Sequence, residues 1–315
     1  MDKYPEIEKI YKDIKDLNIQ GATNVAIATF EGMKLYSNVS HLQEKELFYK
    51  EFFEVADKLA HARANEPLAT NGVKYVKYFF NKKFPVLPQL ATMKRELVSL
   101  TDDFLDIIGQ SKRDLIEKNK EFFSNYNKIF THCHSSTVVS LIKSIRQDKE
   151  NFEVVCTETR PRFQGRITAK SLLEARIKTT LIADSSAESF IINRGSVPVE
   201  IGFIGCDEMT QLGHAINKIG SWGIAMAFHW ADKPFYVVTP FLKLDVESHH
   251  HNIEIEVRES KELWEDAPKG LHMYNPAFEV VDSGLITGYV TELGILKPED
   301  IKKAAQDNYS WLFTS

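Results

Sequence analysis

The sequence predicts an α/β protein in which a helical N-terminal domain precedes a Rossmann-like, doubly wound, mostly parallel sheet. Three observations carry that expectation. To about residue 125 the apolar residues recur at three- and four-residue spacing, the period of a helix with one buried face. From about residue 126 short runs rich in β-branched and aromatic residues alternate with helical stretches, the pattern of parallel strands joined by right-handed crossovers. Those runs are almost continuously apolar, as strands covered by helices on both faces are. The expected domains are 1–125 and 126–315.

In the first domain HLQEKELFYKEFFEVADKLAHA and LPQLATMKRELVSLTDDFLDIIGQSKRDLIEKNKEFFSNY are the clearest helices. Pro85 and Pro88 break the chain before the second, and Gly21 and Gly32 mark turns. In the second domain KIFTHC leads into VVSLIKSIRQDK, FEVVCTE into AKSLLEARIK, TTLIAD into SAESFIINR, and VEIGFIGCD into HAINKIGSWGIAMAFHWAD. PFYVVTP follows as a fifth strand, residues 244–275 are less regular, and GLITGYVTELGILKPEDI reads as another buried strand with a closing helix.

Hydrophobic residues make up 43% of the chain and charged ones 26%, the balance of a soluble globular protein. A net charge of -5 argues against a nucleic-acid partner. It leaves room for an anionic small molecule, which a few well-placed donors bind. The N-terminal MDKYPEIEKIYKDIKDL is charged and amphipathic, and no apolar run approaches membrane-spanning length. A cytoplasmic protein with no membrane partner is expected. The three cysteines, Cys133, Cys156 and Cys206, form no CxxC pair. Free thiols are expected rather than a disulfide frame or a structural zinc site.

Ligands of open α/β sheets bind beyond the carboxyl ends of the strands. There the sequence places Thr131-His132-Cys133-His134-Ser135-Ser136, Thr157-Glu158-Thr159-Arg160, Asp184-Ser185-Ser186, Gly205-Cys206-Asp207-Glu208, and Thr239-Pro240 with Lys243 close behind. A thiol, carboxylates, hydroxyls and cations thus converge on one edge. Cys133 precedes a helix starting near Ser136, and the positive end of that helix is expected to stabilise a thiolate. Cys156 and Cys206 read as buried, inert thiols. Asp207 either caps the next helix or carries chemistry. One thiol and one carboxyl suit a general base with a general acid. Lys218, beside Asn217 in an apolar run, is read as a phosphate contact in preference to a solvated helix residue. His249-His250-His251 do not share one face of a strand or helix, so a loop is preferred to a metal site. His132 and His134 alternate with Cys133 and, on an extended segment, point to the other face.

Read together, these residues resemble the initiation-factor-2B-like superfamily, whose enzymes include the ribose-1,5-bisphosphate isomerase and methylthioribose-1-phosphate isomerase families. THCHSS is similar to the Cys-bearing strand end of the bisphosphate isomerases, and TETRPRFQGRITAKSL to their second motif. GCDEM, INKIGS, YNPAFEVV and TELGIL follow in order. The resemblance implies catalytic roles for Cys133 and Asp207. It implies substrate contacts for Gln20, Gly21, Ala22, Thr23, Arg63, Ser135, Ser136, Asn217, Lys218 and Lys243. It further implies a homodimer or dimer-built hexamer, a link to AMP and nucleoside-phosphate degradation, and no need of a metal or organic cofactor. His134-Ser135-Ser136 after the cysteine favours the bisphosphate isomerase over the methylthioribose enzyme. Retention of both Cys133 and Asp207 favours an enzyme over the non-catalytic, regulatory or sugar-phosphate-sensing members. The chain departs from the family pattern at Gln20, where an Arg is usual, at Cys206, Leu212 and Ser221, and at Ala64-Asn65 after Arg63. The reaction implied converts an aldose 1-phosphate to a ketose 1-phosphate, most specifically ribose 1,5-bisphosphate to ribulose 1,5-bisphosphate. Asp207 would protonate the ring oxygen and a Cys133 thiolate would take the C2 proton.

Overall fold

The computed structural model describes residues 3–146, 149, 151–248 and 253–314. The chain forms two compact units, one from Met1–Gln110, Leu242–Val246 and Lys303–Ser315, the other from Ser111–Phe241 and Glu247–Lys302. Among the described residues no helix is long and apolar enough to cross a membrane.

The first unit is helical, as the periodicity predicts. It holds α1 (Pro5–Lys15), α2 (Ala22–Val39), α3 (Lys45–Ala60), α4 (Pro67–Lys83) and most of α5 (Leu90–Asn119). Phe48, Phe52, Val55, Ala56 and Leu59 line the buried face of α3, and Met93, Leu97, Leu100 and Phe104 that of α5. Three- and four-residue steps place each set on one stripe.

The second unit is built on a sheet of seven strands. These are β1 (Lys128–His132), β2 (Glu153–Thr157), β3 (Lys178–Ile182), β4 (Ile201–Ile204), β7 (Phe235–Val238), β10 (Gly288–Thr291) and β11 (Gly294–Leu296), in the spatial order β11-β10-β7-β4-β1-β2-β3. All neighbours are parallel except β10 and β11. Helices α6 (Ser136–Ile145), α7 (Gln164–Glu174), α8 (Ala187–Ile191) and α9 (Ser221–Trp230) make the crossovers, and α10 (Ile301–Asn308) closes the chain. Ile129, Val154, Phe203 and Tyr236 pack with α6 residues Val138, Leu141 and Ile142 into one core. Phe130, Phe228 and Phe235 pack as an aromatic group between the sheet and α9.

Three expectations are corrected. Gly32, read as marking a turn, lies buried inside α2. HAINKIGSWGIAMAFHWAD is not one helix. Its first part is β6 (Ala215–Lys218), which pairs antiparallel with β5 (Glu208–Thr210) and β9 (Phe278–Val281). Gly220, at a φ of 103°, turns the chain before α9 begins, a conformation that costs glycine little. Likewise GLITGYVTELGIL is not one strand but a hairpin of β10 and β11, turned at Gly294 with a φ of 106°. Local apolar patterning does not separate a short buried strand from a buried helical turn. A two-residue strand, β8 (Leu244–Asp245), lies in the first unit.

Candidate active site

Counted along the chain, the six mutually parallel strands run 3-2-1-4-5-6 across the sheet. The order reverses between β1 and β4, and ligand crevices of open α/β sheets lie at that reversal. These two strands are hydrogen-bonded neighbours with His132 opposite Ile204. Cys133 is the next residue on one, and Gly205-Cys206-Asp207 follows the other. The topology therefore delivers the thiol and the carboxylate to adjacent strand tips. Gly205 is required there: a Cβ on it would stand 2.8 Å from the Cβ of Ser135.

The backbone at Cys133 is held in an unusual state. Its φ is 66°, a left-handed value that side-chain-bearing residues seldom adopt. The neighbouring strand end explains how this is sustained. The Cys133 N–H donates to Thr159 Oγ1 at 3.0 Å, and the Cys133 carbonyl accepts from Thr168 Oγ1 at 2.8 Å. Thr159, itself at a φ of 64°, donates its N–H to Asp184 Oδ1 at 2.8 Å, and the Arg160 N–H donates to Asp184 Oδ2 at 2.6 Å. TETRPRFQGRITAKSL is thus the scaffold of the cysteine. Its glycine is part of that scaffold, because a Cβ on Gly165 would be driven into the Thr157 carbonyl. Gly165→Ala is expected to destabilise the protein by about 3 kcal/mol or more, since backbone on both sides leaves nothing flexible to yield. Chemical denaturation of the purified variant measures it.

His132 completes the network. It is buried, with Nε2 2.9 Å from the Ile219 carbonyl and Nδ1 2.6 Å from Thr157 Oγ1. A carbonyl only accepts, so Nε2 carries the proton and Nδ1 accepts from the Thr157 hydroxyl. Thr157 Oγ1 then accepts from Thr159 Oγ1 at 3.2 Å, whose oxygen receives the Cys133 N–H. Every donor in this chain has one direction. Burial drives the His132 pKa down to about 4 against the hydrogen bond to Ile219 and the charge of Asp184. The ring is neutral at physiological pH, which is the state the network requires.

The sequence expects the positive end of α6 to favour a Cys133 thiolate; burial acts in the other direction and pushes its pKa up to about 11. Lys218 is the largest opposing influence; a backbone hydrogen bond from His134 and the charge of Arg258 also pull it down, while Asp207 pushes it up. The end of α6 is partly spoken for: Ser135 caps it, its hydroxyl accepting from the Val138 N–H at 3.4 Å, and Ser136 Oγ accepts from Lys112 Nζ at 3.2 Å. Desolvation of the charged form outweighs the two cations and the backbone hydrogen bond.

Asn217 and Lys218 lie on β6, 4% exposed each, so the solvated-helix alternative for Lys218 is excluded. Asn217 Nδ2 donates to Ser221 Oγ at 2.9 Å, and its Oδ1 would lie 3.8 Å from a Cβ on Gly205. The Lys218 ammonium stands 4.7 Å from the centre of the Phe278 ring. Burial lowers its pKa, opposed by Cys133. Cys156 and Cys206 are buried free thiols, the latter donating to the Glu208 carbonyl at 2.8 Å. The Asp207 N–H donates to the Ile216 carbonyl at 2.9 Å, tying the β4 tip to β6.

The remaining sequence-derived residues belong to the first unit. Gly21, at a φ of 85°, precedes the first residue of α2, Ala22, with Thr23 next. Gln20 Nε2 donates to the Leu17 carbonyl at 2.8 Å. Arg63 is buried with Glu66, Nη1 to Oε1 3.1 Å. Lys243 ends a short turn of 3-10 helix, Phe241–Lys243. The His249–His251 run lies outside the described residues. Sequence reasoning missed Thr159, Thr168 and Asp184 as supports of Cys133, and it missed Glu256 and Arg258, whose charges act on Lys218. Three of these five stand on strand ends or in the motif already singled out, but their hydrogen-bond partners are 25 or more residues away in sequence.

Residues 18–298 match the initiation factor 2 subunit family. The chain is 32% identical over 97% of its length to the ribose 1,5-bisphosphate isomerase of Methanocaldococcus jannaschii, 96% of which is covered. It is 30% identical over 96% of its length to the 5-deoxyribose 1-phosphate isomerase of Clostridium botulinum, covering 90% of that protein. Among solved structures, translation initiation factor eIF-2B of Pyrococcus horikoshii superposes with a TM-score of 0.79 at 22% identity, over 93% of this chain and 97% of the other. At that identity the likeness speaks for the fold, and the fold agrees with the strand order and helices described above. With a match spanning most of its length, the chain belongs to the initiation factor 2 subunit family.

Proposed function

We propose that this protein is a sugar-phosphate isomerase that converts an aldose 1-phosphate, ribose 1,5-bisphosphate first among them, to the corresponding ketose 1-phosphate. The observation that carries the reading is the placement of Cys133 and Asp207 at adjacent strand tips on the sheet's reversal point, beside a buried lysine. The isomerases named among the relatives support it. In this reading Asp207 gives a proton to the ring oxygen as the C1–oxygen bond breaks, and the Cys133 sulfur, as thiolate, takes the C2 proton. The resulting enol phosphate returns its C2 hydroxyl proton to Asp207 and receives the Cys133 proton at C1. Both groups end as they began, and a ketose 1-phosphate is released. Asn217 and Lys218 hold the substrate, with Ser135 and Ser136 beside them.

A second reading rests on Gln20. An amide in place of a guanidinium removes one bidentate partner of a phosphate, and this departure makes 5-deoxyribose 1-phosphate and methylthioribose 1-phosphate the competing substrates.

Purified protein incubated separately with each of the three sugar phosphates, with ketose formation followed by NMR, separates these readings. Deuterium at C2 is expected to slow turnover or exchange with solvent. Binding of all three without turnover would instead indicate a sensing role. The expected contacts of the first unit, Gln20 to Thr23, Arg63 and Lys243, are tested in the same assay. Arg63→Gln is expected to raise KM, and Gln20→Arg to lower it.

A further inference from the structure

Residues 256–258 lie antiparallel to 275–277. The Arg258 N–H donates to the Asn275 carbonyl at 2.9 Å, the Ala277 N–H donates to the Glu256 carbonyl at 2.8 Å, and Val257 bridges Pro276. Asn275 Nδ2 secures the same segment through the Glu259 carbonyl at 3.1 Å. Alternation along an extended segment sends Val257 one way, where it is 55% exposed, and Glu256 and Arg258 the other. The Arg258 side chain is only 7% exposed, its Nε 3.2 Å from Glu256 Oε1. Among the described residues its two terminal nitrogens make no hydrogen bond and no ion pair.

That guanidinium approaches the ring that Lys218 also approaches. Its central carbon is 5.9 Å from the Phe278 centroid, and the Lys218 ammonium is 4.7 Å from it. Lys218 is 4% exposed, and among the described residues its ammonium has no hydrogen-bond or ion-pair partner. Two cations therefore stand by one aromatic ring, near enough for the Arg258 charge to act on Lys218, with Glu256 as the carboxylate paired to one of them. Unpaired buried charge is costly, and an arrangement that keeps two cations together is one that a dianion completes. The fork of terminal guanidinium nitrogens suits the oxygens of a phosphoryl group.

We propose that Arg258 and Lys218 form a two-cation cradle for the substrate's phosphoryl group, with Arg258 a substrate-binding residue and Phe278 its floor. This rests on the isomerase reading and adds to it the group that takes the phosphate in the second unit. Both cations act on the Cys133 sulfur, and Lys218 is the strongest of the charges that do. The phosphoryl group so held is the one on C1, next to the carbon from which Cys133 draws its proton. The YNPAFEVV motif acquires a purpose: Asn275 anchors the Arg258 segment, and Phe278 supplies the floor.

The test reads Cys133 itself, so that it does not depend on turnover. The rate of Cys133 alkylation by iodoacetamide is measured by peptide mass spectrometry on the full-length protein across a series of inorganic phosphate concentrations. Phosphate is expected to slow alkylation of the wild type. Arg258→Gln is expected to need about tenfold more phosphate for the same protection, the loss that follows from removing a charged hydrogen-bonding partner. Arg258→Lys should fall between the two, because charge remains and the fork is lost. Lys261→Gln, which removes an exposed cation from the same segment, should match the wild type. If Arg258→Gln does not fold, Glu256→Gln combined with Arg258→Met removes both members of the ion pair and leaves no orphaned charge. The proposal is overturned if phosphate fails to protect the wild type, or if protection is unchanged in Arg258→Gln or in that double variant. If protection depends on Arg258 while no sugar phosphate is isomerised, the cradle stands and the isomerase reading falls. If turnover is present and protection is indifferent to Arg258, the reverse holds.

Discussion

Cys133→Ser is expected to lower turnover by about 10²- to 10⁴-fold while the protein stays folded, the usual worth of a positioned general acid or base. Asp207→Asn is expected to do the same. The geometry behind this is the pairing of β1 with β4, which makes residues 133 and 207 near neighbours at the sheet's reversal point. The raised thiol pKa sharpens the prediction. With a pKa of about 11, about one thiol in a thousand is ionised at pH 8, each pH unit changing that fraction about tenfold. Alkylation of Cys133 in the folded protein is thus expected to rise steeply beyond pH 9, where an exposed thiol has already levelled off. The kcat/KM of the enzyme should climb with pH over the same interval, because the base form increases as the proton leaves. Lys218→Met, which removes the largest charge opposing burial, should move the alkylation midpoint higher still. A midpoint near the ordinary thiol value in wild-type protein would show that the sulfur is not desolvated as described.

His132 should give the protein a pronounced acid sensitivity. Its folded pKa, about 4, lies below the ordinary value of 6.5. Between these values the unfolded chain binds the proton and the folded chain does not, so stability rises with pH across this interval and falls as the medium is acidified. The contribution is fully present above pH 6.5, declines toward pH 4, and amounts to about 2 kcal/mol lost on going from pH 8 to pH 5. His132→Gln retains a donor and an acceptor but cannot titrate. It should flatten the slope of unfolding free energy against pH in this interval, as urea denaturation at a series of pH values would record. An unchanged slope would mean that the imidazole is not buried neutral. Protonation has a local consequence as well. A doubly protonated ring can no longer accept from Thr157, so the hydroxyl chain from His132 to the Cys133 N–H must reverse or break.

Much of this architecture was legible in the residues alone. The alternation of apolar strand runs with helical stretches specified the parallel sheet, and KIFTHC and VEIGFIGCD placed a thiol and a carboxylate beyond two strand ends. The helices of the first unit followed from their apolar stripes. What periodicity did not supply was the nature of short segments whose burial comes from elsewhere. AINK is a strand because β5 and β9 flank it, and its lysine is buried for the same reason.

Sequence by itself determined the class of fold, the edge of the sheet on which the polar residues gather, and the position there of the thiol and carboxylate proposed to exchange protons with the substrate. Tertiary structure alone decided that burial pushes the thiol pKa up, that four residues of distant segments (Thr157, Thr159, Thr168 and Asp184) hold the cysteine loop in its left-handed turn, and that Arg258 and Lys218 both stand by the Phe278 ring. The reason is physical. Secondary structure follows from a residue's neighbours along the chain, whereas ionisation follows from which water is removed and which charges replace it, and those arrive from segments far away in sequence.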